Sequence, residues 1–356
     1  PSVLIFHRPA SPDDLPLARL VADARLRLAD QQAALFRRAG AAEVRVIEGR
    51  PRPFGEQLAA VVPRSGGVVV MGSGAVARLR GPDARRLVEV ARRGELQALT
   101  NNRYSSDVCA IGDVRALRDL PPLPSDNALP RWLEERAGFA VAELPGRERL
   151  ALDIDTPLDM TLWAMASGCP AWIRRLVTEQ GLAVPRLGEL RALAADPHAE
   201  LLIFGRTGTA TLGWLERHVR CRVRFLAEER GLRAASPLAI GGSEDRQSTR
   251  APRSTLGLLL AQHGPAALAQ VVSELADGAI IDSRVLLAQR FGPDERAWPA
   301  PIDRYASDLL RAAEVADPWL RELTESAAAS PAPILLGAHT LVGPGVRLVL
   351  RPAGVE

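Results

Sequence analysis

Asp153 and Asp155 stand one apolar residue apart in the stretch Leu150-Ala151-Leu152-Asp153-Ile154-Asp155-Thr156-Pro157-Leu158-Asp159. On a strand, side chains two apart share a face, so this spacing predicts both carboxylates on one side at the strand's carboxyl end. Carboxylate oxygens gathered there suit Mg²⁺ held against substrate phosphates, because Mg²⁺ prefers hard oxygen ligands. The residues that follow have a simpler explanation. Thr156 is a good helix N-cap, Pro157 fits the first helical position, and Asp159 can answer both the cap and the helix dipole. Helix initiation accounts for those three and leaves the acid pair as the metal candidate.

The densest polar cluster of the first half is Thr100-Asn101-Asn102-Arg103-Tyr104-Ser105-Ser106-Asp107. Asn101, Asn102, Ser105, Ser106 and Asp107 could hydrogen-bond a base, a ribose or a substrate hydroxyl, with Arg103 facing a phosphate. The alternative is an Asn-Asn turn into a strand, its hydroxyls and carboxylate satisfying local backbone groups. Arg8, just past the first apolar run, is a further candidate for phosphate. In the second half, Arg206 and Thr207 lie in Phe204-Gly205-Arg206-Thr207-Gly208-Thr209-Ala210, between a strand signal and a helix signal. That context suits anion binding at a helix N-terminus, although it lacks the full dinucleotide fingerprint and also reads as a tight turn. Glu228, Glu229 and Arg230 follow the next strand signal and form either an acid–base site or an exposed ion-paired turn. Arg250 and Arg253, among hydroxyls, could close on a phosphate or lie in a loop. His339, flanked by apolar residues, reads as a core histidine. No motif designates a catalytic nucleophile or general base.

Composition excludes several chemistries. Lysine and arginine together number 45, and every one is arginine, so a Walker-type phosphate clamp and a lysine Schiff base are both ruled out. The formal net charge is only +3 and the arginines are interspersed with acids, which argues against a nucleic-acid partner. Cys109, Cys169 and Cys221 match no zinc or disulfide spacing. No apolar run approaches the roughly 18–20 residues of a membrane helix, and the chain begins directly in strand-like sequence. A cytoplasmic protein with no membrane partner is expected. Nothing in the residues sets the oligomeric state.

These candidates need elements to position them. Strand signals at 2–8, 42–49 and 67–74 alternate with helical patterns at 17–39, 54–62 and 83–93, an order that implies a mainly parallel sheet with helices on both faces. A strand near 107–111, a proline-rich loop at 119–130 and a helix at 131–138 follow. Two strand-like segments, 139–144 and 149–155, then precede the helix beginning at 157, which reads as the close of the first unit. Residues 199–231 read as strand, glycine-containing turn, helix and strand. Residues 241–253 form the most polar, loop-like stretch. Helices are expected at 254–262 and 265–276, a strand with a polar interruption at 278–289, and helices near 303–315 and 317–329. Two short strands are expected within 331–350. With 356 residues, 47% hydrophobic and 24% charged, two domains are expected, 1–180 and 190–356, with the boundary within 180–197.

The stretch Asp153-Ile154-Asp155-Thr156-Pro157-Leu158-Asp159-Met160 resembles the closing motif, D-x-D-T-P-x-D-L, of nucleotidyltransferases with the nucleotide-diphospho-sugar transferase (GT-A-like) fold. Relatives of that kind include the molybdenum-cofactor and 2-phospholactate guanylyltransferases. The resemblance spans roughly residues 1–165: Asp23 to Gly49 is similar to that family's first helix and second strand, and Gly66 to Leu79 to the strand carrying its G-x-D-x-P metal motif. It implies a three-layer α/β/α domain, Mg²⁺ at Asp153 and Asp155, and action on a nucleotide and a phosphorylated small molecule. Two motifs depart from the pattern. The glycine-rich nucleotide loop, whose N–H groups cradle a triphosphate, is replaced by His7-Arg8-Pro9-Ala10-Ser11-Pro12-Asp13-Asp14, in which proline removes N–H donors. Arg8 or Arg19 would have to supply the charge. Ser73 or Gly74 stands where the metal aspartate belongs. Three expectations result: a divergent nucleotidyltransferase, a catalytically degenerate nucleotide- or metabolite-binding protein, or a separate activity in the helix-rich α/β second half.

Overall fold

A computed structural model describes residues 1–50, 52–123, 125–229 and 253–351. Arg230, Arg250 and most of the polar stretch 241–253 lie outside the described residues. The described residues form an α/β structure that divides into two compact units. Residues 1–154 make the first; among the described residues, 155–229 and 253–351 make the second. The division falls earlier than the 180–197 boundary expected from sequence.

The first unit is built on a six-stranded sheet: β1 (Ser2–His7), β2 (Glu43–Glu48), β3 (Val68–Gly72), β4 (Gln97–Thr100), β5 (Val108–Ile111) and β6 (Ala140–Glu143). Their order is β2-β1-β3-β5-β4-β6, and β5 runs antiparallel to both of its neighbours. The alternation of apolar side chains distributes them to two cores. Val3, Ile5, Val69 and Met71 face the helices Pro16–Arg38 and Gly81–Arg93, meeting Ala29, Ala33, Phe36, Leu87 and Val88. Leu4, Val68, Val70 and Ile111 face the other way, onto Leu58 of the helix Phe54–Val61 and onto Trp132 and Leu133 of the helix Leu129–Glu135. Each fully buried aliphatic or aromatic side chain contributes roughly 1.5–3 kcal/mol of transfer free energy. The helix Gly81–Arg93 shows how local sequence sets its ends: Asp83 accepts the Arg80 N–H at 2.8 Å, and Gly94 leaves the last turn at φ 71°.

The second unit is a four-stranded sheet, β7 (Glu200–Gly205), β8 (Arg222–Ala227), β9 (Gly278–Asp282) and β10 (Ile334–Gly337), in the order β10-β9-β7-β8. All its pairings are parallel. Leu201, Ile203, Ile280 and Leu335 pack against the helices Pro157–Ala164, Leu187–Ala195, Thr209–His218 and Val346–Leu350 through Leu158, Leu190, Trp214 and Val346. Leu202, Phe204, Ile281 and Leu336 pack on the opposite face against Leu260, Val272, Val285, Ala306 and Leu323. The helix at 157, read as the close of the first unit, therefore belongs to the second unit's core.

Three further expectations differ from the structure. Residues 149–155 are not a strand: a short 3-10 turn, Arg149–Ala151, passes into extended chain. The strand expected over 278–289 stops at Asp282, and the helix Ser283–Phe291 begins, because the Asp282 carboxylate caps it by accepting the Arg284 N–H. Of the two strands expected in 331–350, only β10 forms; the rest winds through a wide turn, Leu341–Gly345, into the helix Val346–Leu350. Strand β4 was not anticipated. No helix among the described residues is long and apolar enough to cross a membrane.

Candidate functional site

Strand β8 lies on one side of β7 and β9 on the other. The winding therefore reverses between β7 and β9, and in open parallel sheets ligands bind at the carboxyl ends of the strands flanking such a reversal. Gly205 ends β7 with φ 118°, and a Cβ there would come within 2.3 Å of the Asp282 Cβ. Glycine is what lets the two strand ends approach closely enough to set Arg206 beside Asp282. The Arg206 Nε donates to Asp282 Oδ2 at 2.7 Å and its Nη2 to Oδ1 at 3.1 Å. Burial works against the charge of Asp282, which is 0% exposed, yet Arg206 holds its carboxyl below the usual carboxylate range. The Arg206 side chain retains 31% of its exposure.

Behind this pair lies a second, buried one. Arg284, in the first turn of the helix Ser283–Phe291, donates to both oxygens of Asp308 at 2.6 Å. Its Nη1 also donates to Ser283 Oγ at 2.9 Å, and that hydroxyl donates to the Gly337 carbonyl at the end of β10. Asp159 completes the acid set. Its Oδ2 accepts from the Thr156 N–H at 2.8 Å, the Thr156 hydroxyl at 3.0 Å and the Asp155 N–H at 3.1 Å. Burial, then the charges of Asp155 and Asp308, push its carboxyl up to about 7. His339, half-buried just after β10, is shifted below its ordinary value by burial and by the charge of Arg206, so it is neutral at pH 7. Thr207 is buried, its hydroxyl donating to the Val342 carbonyl at 2.8 Å.

The βαβ unit formed by β7, the helix Thr209–His218 and β8 carries two further features. Gly208 caps that helix without any side-chain hydrogen bond, and a Cβ at Gly208 would meet nothing within 4 Å. Glu228, directly after β8, donates its N–H to the Gly205 carbonyl at 2.9 Å and accepts the Thr255 N–H on Oε1 at 2.8 Å. Its Oε2 is enclosed and has no hydrogen-bond partner among the described residues. Glu229 beside it takes a left-handed backbone, φ 52°.

The candidates of the first unit have a different fate. Asp153 is buried, and its Oδ1 accepts the Val76 N–H at 2.7 Å; Asp155 is exposed. Among the described residues no group of three or more His, Cys, Asp or Glu side chains is arranged to hold a metal ion. The polar cluster is brought together, but largely by bonding to itself. Asn101 Oδ1 accepts the N–H groups of Asp107 and Val108, while its Nδ2 donates to Asp107 Oδ2 at 2.6 Å. Ser106 meets Thr100 at 2.9 Å, and Ser105 donates to Asn127. Asn102 Oδ1 accepts from the Tyr104 N–H and from Arg147. Arg103 reaches the Val141 carbonyl at 2.5 Å and Glu134 at 3.2 Å. Arg8 is exposed.

Arg206 and Thr207 thus stand where a ligand would bind in such a sheet, with Glu228 at the neighbouring strand end. Asp282, Ser283, Arg284 and Asp308 escaped sequence reading; the usable signal was Asp282-Ser283-Arg284 as a helix start after an apolar run. Comparison with protein-family models, with curated proteins and with solved structures finds no match.

Proposed function

We propose that the second unit binds a nucleotide, or a closely related phosphorylated small molecule, at the carboxyl edge of its parallel sheet. The observation that carries this reading is the β7–β8 unit, with an open helix start after Gly208 and Glu228, 20 residues on, directly after the second strand. N–H groups at a helix N-terminus, with the positive end of its dipole, suit phosphate. A carboxylate about 20 residues past a glycine turn, at the end of the second strand, suits ribose hydroxyls. Arg206, partly exposed just past β7, adds a cation that remains charged at any working pH.

Thermal unfolding of the full chain with nucleoside mono-, di- and triphosphates, and with inorganic pyrophosphate, tests this. A bound nucleotide at 100 times its Kd stabilises by about 2.7 kcal/mol, which corresponds to a rise of roughly 5–10 °C. Glu228→Gln should reduce the nucleotide shift and leave any pyrophosphate shift intact; Arg206→Lys should reduce both. The absence of any shift at millimolar nucleotide would remove the proposal.

A second reading is nucleotidyl transfer using Mg²⁺ and the acids Asp153 and Asp155, supported by the mixed sheet of the first unit with helices on both faces. Its mark in the same experiment is triphosphate binding that requires Mg²⁺ and weakens in Asp155→Asn. The engagement of Asp153 with the Val76 N–H and the self-bonded 101–107 cluster favour the first reading.

A further inference from the structure

The first unit also reverses its winding, between β1 and β3, since β2 lies on the far side of β1. His7 is the last residue of β1 and Ser73 the first after β3. Strand alternation places His7 on the face of Val3 and Ile5, and Ser73 on the face of Val69 and Met71, which is the same face. The Ser73 N–H donates to the Phe6 carbonyl at 2.7 Å, and Ser73 Oγ lies 3.0 Å from His7 Nδ1.

The turn that presents Ser73 is fixed by many contacts. Gly74 has φ 88°, where a Cβ would come within 2.8 Å of Arg25 and 3.0 Å of the Ile154 carbonyl. Val76 is held at φ 42°, a left-handed conformation that a β-branched residue adopts only under constraint. The constraint is visible: the Val76 N–H goes to Asp153, Gln32 donates to the Ala75 carbonyl at 2.7 Å, and the Ile154 N–H reaches the Gly74 carbonyl at 2.9 Å. Strain of this kind collects where a side chain must be aimed.

We propose that Ser73 and His7 are a nucleophile–base pair for acyl transfer, taking a carboxylic ester or comparable acyl compound. With the ring proton on Nε2, His7 Nδ1 accepts from the serine hydroxyl. Burial and the positive charge of Arg25 lower the His7 pKa, so the ring is neutral and basic at pH 7. Ser73 Oγ bonds to the acyl carbon as its proton passes to His7 Nδ1. The bond to the leaving alkoxide then breaks, and the alkoxide takes that proton. Water attacks the acyl-serine, gives a proton to His7, and the proton returns to Ser73 Oγ as the carboxylic acid departs. The donor this mechanism assigns to the oxyanion is the N–H of Gly74, the residue after the nucleophile.

The test is labelling of the full chain with a fluorophosphonate, in which the Ser73 Oγ–P bond forms and fluoride leaves, followed by peptide mass spectrometry. The expected result is one adduct on Ser73, absent in Ser73→Ala, with a rate that rises with pH to a plateau entered below 6.5. His7→Gln, checked for fold by circular dichroism, should label on the order of 100-fold more slowly. A wild-type protein unlabelled at Ser73 at pH 8, a rate without that plateau, or a His7→Gln variant labelled as fast as wild type would each reduce the pair to a structural hydrogen bond.

Discussion

Asp159 shows how one side chain serves a helix and registers pH. It caps the helix Pro157–Ala164 as its sequence position predicts, but it does so while 1% exposed and close to other acids. Its pKa in the folded chain, about 7, lies above the ordinary 3.8, so between those values the folded state binds more protons than the unfolded one. The stability this contributes is complete below about pH 4 and is lost as pH rises through 7. Asp159→Asn keeps an acceptor for the Thr156 N–H and removes the titration. Urea unfolding should therefore find the variant more stable than wild type at pH 8, by up to a few kcal/mol, with the advantage vanishing near pH 4. Equal pH dependence in the two proteins would show that another group carries the effect. The cap was legible from Thr156 and Asp159 alone; the acid cluster around it was not, since Asp308 is 149 residues away in sequence.

Among elements, the legible ones were those whose pattern had one reading. The long helix Pro16–Arg38 and the apolar strands β1, β3 and β7 fall close to their expected bounds. The antiparallel direction of β5 has no counterpart in its composition, because alternation is the same in either direction. The run 278–289 failed because its apolar residues serve a buried strand and then a buried helix, which periodicity cannot separate over so few residues. That junction holds Arg284, whose pairing with Asp308 joins the helices Ser283–Phe291 and Pro301–Asp308. Breaking a buried pair leaves an uncompensated charge, so Arg284→Met should cost about 3–5 kcal/mol. Arg284→Met combined with Asp308→Leu should recover most of that loss, because it removes both charges at similar volume. A double variant no more stable than the single one, by chemical denaturation, would show that the pair is valued for its further bond to Ser283 and not for charge balance.

At the scale of the whole molecule, the all-arginine basic set decides how the protein responds to salt. Arginine and acid numbers nearly cancel, leaving a net charge of +3, so long-range repulsion is small. Many ion pairs are exposed and local, such as Arg93–Glu89, Arg115–Asp113 and Arg296–Asp294, each at 2.6–2.7 Å, and such pairs contribute little because water and salt screen them. The pairs with weight, Arg206–Asp282 and Arg284–Asp308, each hold an aspartate with no exposure, where counterions do not reach. Thermal unfolding measured from 0.05 to 0.5 M NaCl at pH 7 should therefore move by no more than about 3 °C. A fall of 10 °C or more would mean that the exposed arginine–acid pairs act as a network, and that the cohesion assigned here to two buried pairs and four apolar clusters is spread over the surface instead.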